Sequence, residues 1–170
     1  NPDDPTRWLV DEEAAIVVKY IFKMAMEGRG PSQIATQLTK DKVLTPTAYK
    51  QKQGLNTPQA TPENPSKWHQ TTVRKILERR EYTGCIVNFK TFTNSIWDKK
   101  KRDNPVENHS VFYDTHEAII PEDIFEKVQV LRQNRQRRSK TGKTNLFSGM
   151  AYCADCGEKL YYCTANNFEK

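Results

Sequence analysis

The spacing of apolar residues constrains this fold most, because it predicts several short amphipathic helices. Asp11 is a suitable N-cap for the first helix, and the two glutamates that follow it suit the positive end of the helix dipole. Gly28 or Gly30 is expected to end this helix after about four turns. Its apolar stripe, which we expect to face the core, comprises Val17, Tyr20, Ile21 and Met24.

Two further helices are predicted on either side of a long polar segment. The first begins at Pro31 and runs through Leu38, and the second extends from Gln70 to Arg80. The segment between them, Thr45–Pro65, is rich in Pro, Thr, Gln and Asn and has no apolar period, so we expect a long loop. The second of these helices would bury Val73, Ile76 and Leu77.

The next part of the chain adds β-rich sequence and one more helix. Residues from Cys85 to Trp97 favour strands, with Thr93-Asn94-Ser95 as a candidate hairpin turn, and Val111-Phe112-Tyr113 is a further candidate strand. A last helix is expected to begin at Pro121. Its stripe comprises Ile124, Phe125, Val128 and Leu131. The expected fold class is therefore mainly α with a small β-hairpin or sheet, an α+β fold.

Basic residues are concentrated in two blocks. Ser66–Arg102 contains 10 basic and 3 acidic residues, and Arg132–Lys170 contains 8 and 3. Between them Asp103–Leu131 contains 1 and 7, although the net charge of the whole chain is only +6. Segregated positive charge attracts polyanions, and a solvated surface without a partner is the alternative that charge alone leaves open. No apolar run is long enough to span a membrane, so no membrane partner is expected.

The second and third predicted helices form the minimal arrangement of a helix-turn-helix DNA reader, whose second helix enters the major groove. Gln is suited to adenine, and Arg or Lys to guanine or phosphate. An ordinary surface helix is the alternative, since the segment between these helices is much longer than the tight turn of that motif. The candidate DNA-binding residues here are Lys67, His69, Gln70, Thr71, Thr72, Arg74 and Lys75.

Two other basic clusters are candidates for DNA contact. Side chains just after the predicted hairpin would grip phosphates, or would instead protect an exposed strand edge from aggregation. This cluster comprises Lys99, Lys100, Lys101 and Arg102. A basic linker after the last helix would follow the DNA backbone or enter a minor groove, unless it is merely solvated. Its basic residues are Arg135, Arg137, Arg138, Lys140 and Lys143.

The cysteines indicate a metal site rather than a disulfide framework. Cys153 and Cys156, followed by Gly157, form the knuckle with which zinc ribbons supply two of four thiolate ligands. A second pair is not visible, and Cys163 is a weak third candidate. We therefore expect zinc in a complete ribbon, and zinc that is absent or weakly bound in this chain.

Catalytic chemistry is poorly supported. The three histidines are scattered, and the sequence has no Gly-rich phosphate loop, nucleophile motif or cluster of carboxylates on one helix. Two alternatives to duplex DNA binding nevertheless stay open. One is a zinc-ribbon module that binds RNA or another protein, and the other is a nuclease or other hydrolase that acts unaided.

Several motifs, in this order along the chain, resemble the recombinase domain of large serine site-specific recombinases, especially the transposon-type resolvases and invertases. The most specific stretch is Trp68 with Val73, Ile76 and Leu77, followed by Tyr82-x-Gly84. The other matching stretches are Glu13 through Phe22, Gly30 through Leu38, Val43-Leu44-Thr45-Pro46, His116 through Pro121, Phe125 through Gln129, Phe147-Ser148-Gly149 and Cys153-x-x-Cys156-Gly157.

This resemblance implies a division of labour. In this family an N-terminal catalytic domain carries the serine that attacks DNA, while the recombinase domain and zinc ribbon hold the attachment site in a dimer and then a tetramer. We therefore expect a DNA-binding domain at residues 1–131, a basic linker at 132–146 and the start of a zinc ribbon at 147–170. The catalytic serine is expected to be absent from this chain, which would bind DNA at the nucleoid of a prokaryotic cytoplasm.

Overall fold

In a computed structural model, the described part of the chain contains five α-helices, two short 3₁₀ helices and four short strands. The structure describes residues 8–58, 60, 63–95, 97–98, 100–133, 151–158 and 160. Its contacts divide the chain into two compact units, residues 1–129 and 130–170. The finer division at residues 131 and 146 stays a prediction.

The helices confirm the mainly helical α+β class expected from the sequence. They are α1 (Glu12–Met26), α2 (Pro31–Lys40), α3 (Pro46–Lys52), α4 (Gln70–Glu78) and α5 (Glu122–Gln133). The predicted N-cap is confirmed, because the Asp11 carboxylate accepts a hydrogen bond from the backbone N–H of Ala14 at 3.2 Å. α4 ends earlier than the sequence predicted, since Arg79 has an extended backbone and a 3₁₀ turn follows at Arg80–Thr83. None of the helices in the described ranges is long and apolar enough to span a membrane.

The core of the first unit lies between α1, α2 and α4, and residues of α5 complete it. Its most deeply buried side chains are Ile21, Phe22, Met24, Ile34, Leu38, Val73, Leu77 and Val128. The predicted stripes of α1 and α4 therefore face the core, although Val17 and Tyr20 lie at its edge and are only partly buried. Each large apolar side chain that is buried contributes about 1.5–3 kcal/mol, so packing holds these short helices in place.

The polar segment between α2 and α4 contains a helix, so the prediction of one long loop was wrong there. Thr45 caps α3 by accepting a hydrogen bond from the N–H of Ala48 at 3.4 Å, and Pro46 occupies a favoured first position. Hydrogen bonds also dock this helix, since the Tyr49 hydroxyl donates to both carboxylate oxygens of Asp11 at 2.9 Å. Loss of hydration and then the hydrogen bond to the Asp11 carboxylate raise the pKa of Tyr49 to about 12.

We call this segment, residues 45–65, the insertion. A backbone hydrogen bond joins its two ends. The backbone N–H of Thr45 donates to the carbonyl oxygen of Pro65 at 2.9 Å. Next to this bond, the hydroxyl of Ser66 donates to the carbonyl oxygen of Lys42 at 3.1 Å. The chain therefore leaves the end of α2 and returns towards α4 at nearly the same point.

The strands form two separate antiparallel pairs. They are β1 (Ile86–Asn88) with β4 (Ser110–Phe112), and β2 (Thr91–Phe92) with β3 (Arg102–Asp103). The predicted hairpin turn at Thr93-Asn94-Ser95 was wrong in its pairing, because β1 pairs with a distant strand and β2 pairs across a longer connection. Phe89 has a left-handed backbone with φ of 60°, which turns the chain out of the first strand pair and into the second.

Candidate nucleic-acid interface

The outer face of α4 carries most of the side chains predicted to contact DNA bases. Its inner face is buried through Val73, Ile76 and Leu77, which leaves the polar residues in solvent. Lys67, His69, Gln70, Thr71, Arg74 and Lys75 are exposed, and Thr72 is half-buried. The fold thus presents them together on the start and outer face of one helix, and their binding of DNA stays a prediction.

Trp68 fixes the start of α4 against the end of α2. The indole is 6% exposed, and its Nε1–H donates to the carbonyl oxygen of Val43 at 2.9 Å. Its backbone N–H donates to the hydroxyl oxygen of Thr39 at 3.0 Å, and that hydroxyl donates to the carbonyl oxygen of Ala35 at 2.8 Å. Trp68 therefore adds a buried anchor to the direct packing of α2 on α4, and no tight turn joins the two helices.

Two of the exposed side chains on α4 already have polar partners. Arg74 forms an ion pair with Glu78 at 2.9 Å, and the Gln70 side-chain oxygen accepts a hydrogen bond from the Ser32 hydroxyl at 3.4 Å. An exposed pair spaced four residues apart on a helix contributes only about 0.3–0.5 kcal/mol, so a ligand can displace Glu78 at little cost. Lys67 and Lys75 form no ion pair with a carboxylate in the described residues.

An open cleft of about 520 Å³ lies beside the start of α4. One wall is the insertion and the other is the segment that leads into the helix. The lining residues are Thr45, Pro46, Thr47, Ala60, Glu63, Asn64, Lys67, His69 and Thr72. The residue pattern of the insertion predicts no functional role, although Thr45-Pro46 is a recognisable helix start. The cleft shows that insertion residues adjoin those predicted to reach DNA.

The other predicted basic residues fall into two groups. Lys100 and Lys101 are exposed on the connection that precedes β3, and Arg102 forms an ion pair with Asp98 at 2.9 Å. The remaining candidates lie outside the described residues. They are Lys99, Arg135, Arg137, Arg138, Lys140 and Lys143.

In the second unit, Cys153 and Cys156 sit on a tight turn. The N–H of Gly157 donates to the carbonyl oxygen of Cys153 at 3.0 Å. The N–H of Cys153 donates to the carbonyl oxygen of Glu158 at 2.8 Å. Gly157 has φ of 70°, which favours glycine at this position. Backbone N–H groups of Cys156 and then Asp155 lower the pKa of the Cys153 thiol. No cluster of three metal-binding side chains occurs in the described residues, and Cys163 lies outside them.

The segment around His116 has a structural role, because it closes onto the turn that follows α4. The His116 ring Nε2 lies 2.8 Å from the carbonyl oxygen of Glu81, and the N–H groups of Ile119 and Ile120 donate to Tyr82. Gly84 has φ of 86°, and a Cβ added there would lie 2.8 Å from the carbonyl oxygen of His116. These contacts tie the His116 segment to the turn, and the close approach of its carbonyl oxygen explains why a glycine stands at position 84.

Comparison with known proteins gives one family and a curated relative. The family model described as Recombinase matches residues 12–135. The uncharacterized protein YefB of Bacillus subtilis (strain 168) is 34% identical over 96 residues, which cover 56% of this chain. These residues are 32% of YefB, so the chain spans about a third of that relative's length. No solved structure matches the chain significantly.

Proposed function

The chain belongs to the Recombinase family, and we propose that it binds duplex DNA sequence-selectively at recombination attachment sites. The family itself points to a role in site-specific recombination. The proposal of DNA binding is supported by the outer face of α4, which is polar and basic. Trp68 anchors the start of this helix beside the end of α2. Together the two helices act as a helix-turn-helix reader whose connection has been lengthened by the insertion.

Within this proposal the exposed residues divide by chemistry. Gln70 and Arg74 have the donors and acceptors that read adenine and guanine in the major groove. Lys67 and Lys75 neutralise phosphates, which positions the protein and raises affinity without reading sequence. Strand cleavage would come from a serine-bearing catalytic domain of the complete recombinase, assembled on DNA as a dimer and then a tetramer at the prokaryotic nucleoid.

We expect Gln70→Ala and Lys75→Ala to weaken DNA binding in different ways. Gln70→Ala should cost about 1–3 kcal/mol on the preferred duplex and relax base preference at one position. Lys75→Ala should weaken binding to all duplexes alike and flatten the dependence of affinity on salt. The measurement is selection of a preferred duplex from a random library with the purified chain, followed by fluorescence anisotropy over a salt series.

Lys19→Ala is the control for these variants, because Lys19 is an exposed lysine on α1 outside the proposed interface. An equal loss for Gln70→Ala on preferred and random duplexes would show that this side chain contacts only phosphate. Preference of the wild-type chain for single-stranded RNA would favour the alternative of a zinc-ribbon module. Cleavage of DNA by the chain, abolished by a substitution within it, would support a hydrolase instead.

We further propose that Cys153 and Cys156 supply two thiolate ligands to a structural zinc ion. The turn fits this role, because both sulfurs belong to one knuckle and backbone N–H groups favour the thiolate of Cys153. Bound zinc would cross-link the chain at this point. The other ligands would come from residues outside the described ranges, or from elsewhere in a complete ribbon.

We expect the chain to bind Co²⁺, a spectroscopic substitute for zinc, only weakly through these cysteines. Titration should produce a thiolate-to-cobalt absorbance band that Cys153→Ser and Cys156→Ser each remove. Cys85→Ser is the matched control, since Cys85 is buried in the first unit and its thiol bonds to the carbonyl oxygen of Arg80. A band that survives in Cys153→Ser would contradict this ligand assignment.

A further inference from the structure

Trp97 is the most exposed large apolar side chain in the described residues, with 92% of its surface in solvent. A tryptophan normally contributes to a fold by burial, and tryptophan is enriched at interfaces because its ring supplies a large contact area. The contacts described for Trp97 involve its backbone N–H and none involves its indole. The feature therefore points to a partner and not to the core.

The turn that carries Trp97 is ordered by local hydrogen bonds. The N–H of Asp98 donates to the carbonyl oxygen of Ser95 at 3.1 Å, which closes a β-turn with Trp97 near its apex. The Ser95 hydroxyl oxygen accepts from the N–H of Trp97 at 3.3 Å. Asp98 also accepts from the N–H of Lys100 at 3.1 Å and pairs with Arg102 at 2.9 Å. Trp97 thus stands on a preorganised tip.

The base of this hairpin, which runs from β2 to β3, is closed by hydrogen bonds across it, and an ion pair between Lys90 and Glu81 ties it to the turn after α4. The pairs Thr91–Asp103 and Phe92–Arg102 join its strands. The side-chain amide of Asn104 donates to the carbonyl oxygen of Phe89 at 2.8 Å, and its backbone N–H donates to that of Lys90 at 2.9 Å. The tip is therefore projected from a fixed support, which lowers the entropy lost when it inserts into a partner.

Charge around the tip favours a polyanion as the partner. Residues 90–103 contain five lysines and arginines but only two aspartates, and Asp98 is paired with Arg102. Lys100 and Lys101 are exposed and form no ion pair with a carboxylate in the described ranges. An aromatic ring among cations matches the way in which proteins stack against bases while holding phosphates.

We propose that this hairpin is a second DNA contact, separate from α4, in which Trp97 wedges into a base step of the duplex while Lys100 and Lys101 hold the flanking phosphates. This inference rests on the proposed binding of duplex DNA. It adds that the bound DNA is locally unstacked. Partial insertion of a ring between base pairs requires local unstacking, which is easiest at flexible pyrimidine–purine steps. The hairpin would therefore favour sites that contain such steps without reading base edges.

The test uses the complete 170-residue chain and a duplex with several TpA steps, each carrying the fluorescent base 2-aminopurine. Binding should raise 2-aminopurine emission because the bases unstack. Trp97→Ala should abolish this rise and weaken binding roughly tenfold, and Trp97→Phe should restore part of both. Val106→Ala is the matched control, since Val106 is 79% exposed outside the hairpin and should leave both readings unchanged.

Thermal melting of each variant establishes that the fold is retained, which we expect for residues this exposed. Equal affinity and an equal rise in emission for Trp97→Ala and the wild-type chain would overturn the wedge. Binding by the wild-type chain without any rise in emission would also overturn it, while leaving duplex binding through α4 intact. Failure of the wild-type chain to bind any duplex at low salt would instead contradict the proposed function on which the wedge depends.

Discussion

Trp68→Ala is expected to lower the free energy of unfolding by about 3–5 kcal/mol, the range for removing a buried aromatic side chain. The substitution removes an indole that packs in the core beside α2 and α4, and it leaves the Val43 carbonyl without its 2.9 Å donor. Since the proposed interface depends on that helix pair, DNA binding should fall with the folded fraction. Chemical denaturation followed by circular dichroism measures the first effect, and anisotropy titrations at the same denaturant concentrations measure the second.

Two further substitutions separate the contributions of Trp68. Trp68→Phe keeps a ring but removes the donor to Val43, so its cost should be smaller and include about 1–3 kcal/mol for an unsatisfied carbonyl. Trp8→Ala is the control, because Trp8 is 54% exposed. A stability of Trp68→Ala within 1 kcal/mol of the wild-type chain, roughly the effect of an ordinary surface substitution, would show that the indole does not organise the helix pair.

Gly84→Ala should be the second most damaging single change, with an expected loss of about 2–4 kcal/mol. An alanine at φ of 86° is strained, and its Cβ would lie 2.8 Å from the backbone carbonyl oxygen of His116. That oxygen cannot move freely, because backbone hydrogen bonds hold the chain on both sides of it. The N–H of Thr115 donates to the carbonyl oxygen of Gly84, and the N–H of Ile119 donates to that of Tyr82. Denaturant unfolding measures the loss.

The chain supplies a matched control for this change. Gly54 has φ of 75° but no atom within 4 Å of an added Cβ. Gly54→Ala should therefore show only the cost of the left-handed backbone, about 1–2 kcal/mol. The difference between the two variants isolates the contact with His116. Equal losses would mean that the turn and the His116 segment separate without penalty.

The sequence predicted the helical core well because its signal is local. Ile21 and Met24 on α1, and Val73 and Leu77 on α4, repeat at helical spacing and all four are buried. α3 was missed because a helix that buries only Ala48 has no periodic stripe to detect. The start of α3 at Thr45-Pro46 could be predicted. Its docking could not, because it depends on a hydrogen bond from Tyr49 to Asp11, which is distant in sequence.

Strand pairing was harder to predict because the partners are distant in sequence. Ile86 pairs with Phe112, and nothing in the local alternation of β1 specifies that register. The exposed face of α4 could be predicted, since the buried positions determine which side chains point outwards. The exposure of Trp97 could not be predicted, because an aromatic residue in a β-rich stretch is expected to pack against its neighbours.

The hydrogen bond between Thr45 and Pro65 makes the length of the connection between α2 and α4 largely independent of the helix packing. Because the two ends meet, residues can be added or removed between them without a change in the distance that the chain must span. The entropy of closing a loop rises by only about 0.6 kcal/mol for each doubling of its length. This region is therefore a natural place to graft new recognition sequences, with the helical scaffold left unaltered beneath them.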